Sequence, residues 1–315
     1  MSKSLDFRIT DRWILSRRGK KKNVDPRRPY AWLVEKELSA SGEVEDTGVI
    51  FLTNSECPFH CLMCDLWKNT TDETIPPGAI SEQIEWALER MPGIKQIKLY
   101  NSGSFFDPRA IREDEYGKIA LLLSGMKRVI VESHPVFINE RCLAFRDMLK
   151  PDLEIAIGLE TVNEDVLKKI NKKMTPDSFR TAVNFLSVNG ISTRAFILLK
   201  PPFMTESEGI YQAERSVDFA FGAGAGCCVI IPVRSGNGAM DFLVSKNLFS
   251  PPDIRSLEEV IEYGIKLKHG RVFADTWNLG LFSSCNICME KRISRLTEMN
   301  MYQRIPGAVE CTCDN

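Results

Sequence analysis

No apolar stretch in this 315-residue chain is long enough to span a bilayer, and its first residues, MSKSLDFRIT, contain no hydrophobic signal core. A cytoplasmic protein without a membrane role is therefore expected. A charge imbalance is also missing. Forty-one Lys and Arg stand against 42 Asp and Glu, a net charge of -1. No global field draws the chain to nucleic acid, so any RNA contact must use a local patch. Internal repeats and low-complexity tracts are absent. None of the ten cysteines precedes Cys57. Cysteines in this setting read as metal or cluster ligands in a reducing compartment, not as a disulfide framework. A composition of 43% hydrophobic and 26% charged residues suits one large domain, alone or with a small appendage.

The most informative residues present are Cys57, Cys61 and Cys64, in the run CPFHCLMC. A C-x2-C pair alone suits zinc or redox sites. Three thiolates from one loop, at C-x3-C-x2-C spacing, suit a 4Fe–4S cluster with one iron left open for a ligand. Context supports the second reading. Gly48 to Thr53 is an apolar, β-branched run that reads as a buried strand, and a helical pattern begins near Ile80.

Further strands are expected at Ile94–Tyr100, Val129–Ser133, Leu153–Leu159, Thr193–Leu199 and Cys227–Ile231, with Arg271–Ala274 as an extension. Helical patterns lie between them. Repeated β–α units imply a parallel sheet with right-handed crossovers. The fold class is α/β, as a partial (β/α)6 TIM-like barrel, whose chemistry belongs at the C-terminal strand ends. Residues 1–47 are expected as a basic extension, 48–277 as the core and 278–315 as a cysteine-rich segment. On the fourth strand Glu154, Ala156, Gly158 and Glu160 share one face by period two.

The stretches ECPFHCLMCDLWKNTTDE, IKLYNSGSFFDP, VIVESHP, AIGLETVNEDVL, FILLKPPF, IIPVRSGNGAM and GRVFADTW span Glu56 to Trp277. They resemble the radical S-adenosylmethionine (SAM) superfamily, near its Elongator-like and coproporphyrinogen-oxidase-like branches, and most closely the radical SAM subunits of archaeosine synthases. The resemblance implies a 4Fe–4S cluster on the three cysteines, with SAM chelating the open iron. It implies SAM contacts from Ser102 and Gly103, Glu132, Glu160, Lys172, the Met63 carbonyl, Ile197 and Ile231. It also implies a tRNA bearing a lysine-adducted 7-deazaguanine as substrate, a one-electron reductant, and a lysine-transferring synthase subunit as partner. Arg234, Asn237, Asp275 and Trp277 would line the substrate pocket. An Elongator-type enzyme would need an acetyltransferase domain, and no room for one is expected after Trp277. A methylthiotransferase would need an N-terminal domain with its own cysteines. A porphyrin-like or other small-molecule substrate stays open, as does a non-enzymatic, metal-stapled RNA-binding protein.

Two features stand outside that core. Arg17, Arg18, Lys20, Lys21, Lys22, Arg27 and Arg28 cluster ahead of Tyr30 and Trp32. They read either as an RNA-binding arm or as a solvated basic run. Cys285 with Cys288, and Cys311 with Cys313, supply four thiolates that suit zinc or an auxiliary iron–sulfur cluster. Cys142, Cys227 and Cys228 read as buried thiols. His134, before Pro135, reads as a structural hydrogen-bonder rather than an acid–base group.

Overall fold

The computed structural model describes residues 7–283 and 285–311. Its strands are β1 (Ala31–Leu38), β2 (Val44–Leu52), β3 (Gln96–Asn101), β4 (Arg128–Ser133), β5 (Asp152–Glu160), β6 (Ser192–Leu199), β7 (Cys227–Pro232) and β8 (Arg271–Ala274). They form one sheet in sequence order. β1 pairs antiparallel with β2, and every later neighbour is parallel. Helices connect the parallel strands, as the crossover rule requires. The result is a curled half-barrel with helices outside, the expected partial TIM-like core.

Alternation within the strands builds the two faces. Ile97 and Leu99 on β3, Val129 and Val131 on β4, and Ile155 and Ile157 on β5 are fully buried against Ile80, Ile84, Phe145, Phe179 and Val183 of the surrounding helices. Each such side chain stabilises the fold by about 1.5–3 kcal/mol. The alternate positions face the barrel interior and are polar near its floor. There Arg194 donates to Glu154 at 2.7 Å and to Glu37 at 2.6 Å. Glu154 also accepts from Arg128 and Arg271, both at 2.9 Å, and Lys98 pairs with Glu35 and Glu37. This ionic plug joins strands from β1 to β8 and fills the N-terminal end, leaving the opposite end for chemistry.

Three elements extend the core that sequence periodicity outlines. β1 adds an antiparallel strand inside the segment expected as a basic extension, and β2 crosses the 47/48 boundary. Helix Ile254–Leu267 packs on β8. Helix Asn286–Tyr302 contacts both β1 and β8, the two edges of the sheet. A smaller apolar cluster caps the barrel mouth. In it Ile14 of the short helix Asp11–Leu15 packs with Leu62, Val166, Ile170, Leu198 and Met240.

Candidate active site

The ligand loop leaves β2 and is held by amide side chains at each turn. Gln83 accepts from the Thr53 N–H and donates to the Thr53 carbonyl, both at 2.8 Å. Asn54 exchanges hydrogen bonds with the Ser102 backbone, accepting from its N–H at 3.1 Å and donating to its carbonyl at 3.0 Å. Asn171 donates to the His60 carbonyl at 2.7 Å. Asn237 donates to the Leu62 carbonyl at 2.8 Å and the Cys64 carbonyl at 3.1 Å, so the carbonyls on both sides of Met63 are fixed. Cys57, Cys61 and Cys64 therefore sit on a rigid loop. Burial pushes the Cys57 and Cys64 thiols up to about 12 and Cys61 up to about 11. Without a metal such thiols keep their protons, and metal binding must displace them.

Gly103 lies against this loop in the left-handed region, at φ 112°. A Cβ there would stand 3.3 Å from Cys57 Cβ and 3.4 Å from its Sγ. Gly103→Ala is expected to strain the backbone by about 1–3 kcal/mol and to push Cys57 off position. Iron content after anaerobic reconstitution should fall below half of wild type. Full iron loading in that variant would show that the contact does not matter.

The other strand ends converge on the same side. The Glu132 carboxylate on β4 accepts from the Asn101 N–H at 2.6 Å. Burial raises it to about 8. Glu160 ends β5 at φ 63°, after a bulge, and its Oε1 lies 2.5 Å from Lys172 Nζ. A Cβ on Gly158 would fall 2.4 Å from Glu160 Oε1 and 2.7 Å from Lys172 Nζ, so a larger residue there would have to shift this pair. Burial works to lower the Lys172 pKa, but the adjacent Glu160 charge overcomes it and holds the ammonium above its usual range. His134 stacks on Phe59 with centroids 4.2 Å apart. Its Nδ1 accepts from Val136 N–H at 3.3 Å, and its Nε2 lies 3.3 Å from the Lys172 carbonyl. That pattern requires the neutral Nε2–H tautomer, and burial lowers the ring to about 4. His134 is occupied structurally, as the sequence reading expects.

The remaining candidates separate. Met63 and Ile231 pack in the mouth cluster. Ile197 faces the other way, into the sheet–helix core, and is not among the residues gathered at the mouth. Arg234 pairs with Asp275 at 3.0 Å and with the Trp277 carbonyl, and Trp277 is exposed. Asn237 is buried and braces the ligand loop. Cys142, Cys227 and Cys228 are buried, as expected. Tyr30, placed by its sequence context on an RNA-facing arm, lies half-buried. Burial raises its phenol above the ordinary range. The sequence reading missed Asn54 and Asn171, and the bracing role of Asn237, because a loop asparagine carries no signal beyond its turn preference.

Part of the basic run is paired beside the ligand loop, while Lys20, Lys22, Arg27 and Arg28 are exposed. Arg18 and Lys21 pair with Glu56, Lys21 also with Asp72, and Arg27 pairs with Glu82 at 2.5 Å. Arg17 covers the rings of Trp13 and Phe242. These contacts make the segment a strap beside the ligand loop.

A half-barrel that gathers three thiols on one loop at its strand ends defines a class of enzyme. The family model for the radical SAM superfamily matches residues 52–210, half of the chain, and the chain belongs to that superfamily. It is 28% identical to an uncharacterized protein of Methanocaldococcus jannaschii, over 94% of this chain and 87% of that protein. It is 23% identical to the archaeosine synthase subunit beta of Methanosarcina acetivorans, over 80% of this chain and 77% of that one. The subunit of the same name from Thermococcus kodakarensis is 29% identical over 50% of this chain and 51% of its own length. Among solved structures, the Elp3 protein of Methanocaldococcus infernus superposes with TM-score 0.53 at 14% identity, over 72% of this chain and 55% of that chain. Methylornithine synthase gives TM-score 0.53 at 12% identity, over 71% and 64%. These two share the fold.

The family implies a 4Fe–4S cluster and SAM, and the residues fit. Three partly buried thiols stand on a braced loop, with Gly103 leaving the space that keeps Cys57 in place. No fourth cysteine lies between Cys64 and Cys142 in the sequence, so the loop itself offers the cluster three thiolates.

Proposed function

We propose that this enzyme modifies tRNA by cleaving a C–N bond in a lysine-adducted 7-deazaguanine, leaving the amidine of archaeosine on the base. The observation that carries the reading is the strand-end site in a chain alignable over 80% of its length with a protein named archaeosine synthase subunit beta. When bound, the reduced cluster and SAM supply a 5′-deoxyadenosyl radical that takes a hydrogen atom from the substrate.

The chain's own residues prepare for that event. Cys57, Cys61 and Cys64 hold the cluster. The Ser102–Gly103 backbone and the Glu132 carboxylate receive the SAM amino group. A carboxyl raised to about 8 ionises more readily once an ammonium faces it. Lys172 faces the SAM carboxylate, and Glu160, fixed by Lys172, the ribose. Met63 offers its carbonyl to the adenine, with Ile231 beside it. The Phe59–His134 stack and the mouth cluster around Ile14 exclude water.

RNA would approach where cations are accessible. A surface cleft of about 550 Å³ beside the mouth is lined by Arg8, Lys168, Lys169 and Lys173, with Asp11 opposing them. Such groups neutralise phosphates. A one-electron reductant, a lysine-transferring partner subunit and a cytoplasmic setting belong to the same reading.

The test is nucleoside analysis of tRNA from cells lacking this protein. Accumulation of a lysine-adducted 7-deazaguanine, with loss of archaeosine, is the expected profile. An unchanged profile sinks the tRNA substrate, while 5′-deoxyadenosine release by the purified enzyme would still uphold the superfamily chemistry.

A further inference from the structure

The C-terminal segment turns back on itself. Helix Asn286–Tyr302 begins at Cys285, whose Sγ accepts from the Cys288 N–H at 3.4 Å. After the helix, residues 304–311 run without regular structure toward its start. Two arginines fix this return. Arg295 donates to the Pro306 carbonyl at 2.9 Å and the Gly307 carbonyl at 3.0 Å, and Arg292 donates to the Val309 carbonyl at 3.1 Å. Both arginines also pair with Glu258 on helix Ile254–Leu267. The return path delivers Cys311 to Cys285 and Cys288, and the three sulfurs lie within 4.8 Å of one another.

That separation distinguishes the two metals left open by the sequence. In a tetrahedral zinc site with Zn–S near 2.3 Å, thiolate sulfurs stand about 3.8 Å apart. In a 4Fe–4S cluster each cysteine binds a different iron, so the sulfurs stand at the corners of a larger body. Among the described residues, only these three form a ligand group of such tightness; Cys57, Cys61 and Cys64 do not. The site also lies at the start of a 17-residue helix, whose dipole favours the negative charge of a zinc–thiolate centre.

We propose that Cys285, Cys288 and Cys311 hold one zinc ion that staples the terminal helix across the open edge of the sheet. A fourth ligand is required. In the sequence Cys313 follows Cys311 by two positions, and it lies outside the described residues. What the staple secures is visible at β8. Asn300 accepts from the Ala274 N–H at 2.8 Å and donates to its carbonyl at 2.9 Å. Gln303 accepts from the Val272 N–H at 2.6 Å and donates to its carbonyl at 2.8 Å. Two side-chain amides thus stand in for a missing strand and cover an edge that would otherwise pair with another chain. The zinc locks the helix that carries them.

Metal analysis of the anaerobically purified chain tests this, beside the triple variant Cys57→Ala/Cys61→Ala/Cys64→Ala. One zinc per chain is expected in both, with iron in the first alone. Iron without zinc in the triple variant would mean an auxiliary cluster and overturn the proposal. So would the absence of metal in that variant after purification with zinc supplied. Zinc in both proteins with iron in neither would uphold the staple and sink the cluster reading instead. A second measurement needs no substitution. Removing zinc with a chelator should raise amide exchange at Val272 and Ala274 by about tenfold or more, through local opening of the terminal helix. Unchanged exchange there, with the metal gone, would overturn the stapling role.

Discussion

Cys57→Ala abolishes 5′-deoxyadenosine formation from SAM: that is the largest functional effect expected of any single substitution in this chain. The ligand loop offers three thiolates and no spare. Losing one leaves two irons without a protein ligand, and a cluster held at two corners does not survive isolation. Even substitutions one step removed from a metal ligand cost about 10–100-fold in affinity or activity, so a direct ligand should cost more than about 100-fold. The fold should survive. Cys57 is partly exposed, and the loop is braced independently by Gln83, Asn54, Asn171 and Asn237. The measurement is product release under reduction, together with iron content and the circular dichroism spectrum. A variant that keeps its fold and still releases 5′-deoxyadenosine at more than a tenth of the wild-type rate would remove Cys57 from the ligand set.

The largest stability effect should come from the other end of the barrel. Arg194 is 1% exposed and sits between Glu37 and Glu154, themselves buried. Replacing it with methionine keeps most of the volume and removes the charge. Taking one partner from a buried ionic group costs about 3–5 kcal/mol, because the charges left behind lose their compensation. Lys98 still faces Glu37, and Arg128 and Arg271 still face Glu154, which places the expectation toward the lower end. A urea midpoint shifted by less than the equivalent of about 1 kcal/mol at pH 7 would show that those neighbours suffice.

The same plug sets an acid-side pH dependence. Burial works to raise the Glu154 pKa, but the Arg194 and Arg271 charges outweigh it and hold the carboxyl at about 2, below its ordinary value of 4.5. Glu37 is depressed in the same way by Arg194 and Lys98. A carboxyl depressed on folding adds stability above its unfolded pKa, and that contribution is lost as pH falls through the folded value. The gap between wild type and Arg194→Met should therefore be full at pH 7 and shrink between about pH 4.5 and 2. A gap that stays constant across this range would mean the substitution acts through packing alone.

The plug also explains what sequence periodicity missed. β1 presents Glu35 and Glu37 to the barrel interior, while Trp32 and Val34 are exposed. Leu33 shares its face with Glu35 and Glu37, and Lys36 shares the other with Trp32 and Val34, so neither face is uniformly apolar. A search for hydrophobic alternation passes over such a segment. The parallel strands were legible because their helix-facing positions are largely apolar. Helix Asn286–Tyr302 was illegible for a related reason. Beside Leu296 and Met299 in the core, it meets its neighbours through Arg292, Arg295 and Asn300, and through Gln303 at its end, residues that look solvent-facing in a sequence.

Local pattern alone determined the parallel half-barrel, the three-thiol loop and the shared face of Glu154, Ala156 and Gly158, which a bulge ends before Glu160. Each depends on spacing along the chain: period two in strands, and three and two residues between cysteines. Tertiary structure decided the rest. Asn237 came to brace the ligand loop, and Arg18 and Lys21 of the basic run paired with Glu56 beside it. Ile197 turned away from the mouth, and Cys311 came within reach of Cys285 and Cys288. Those outcomes depend on partners far apart in sequence, which no local spacing encodes. A charged or amide side chain takes its meaning from whichever partner the fold brings to it.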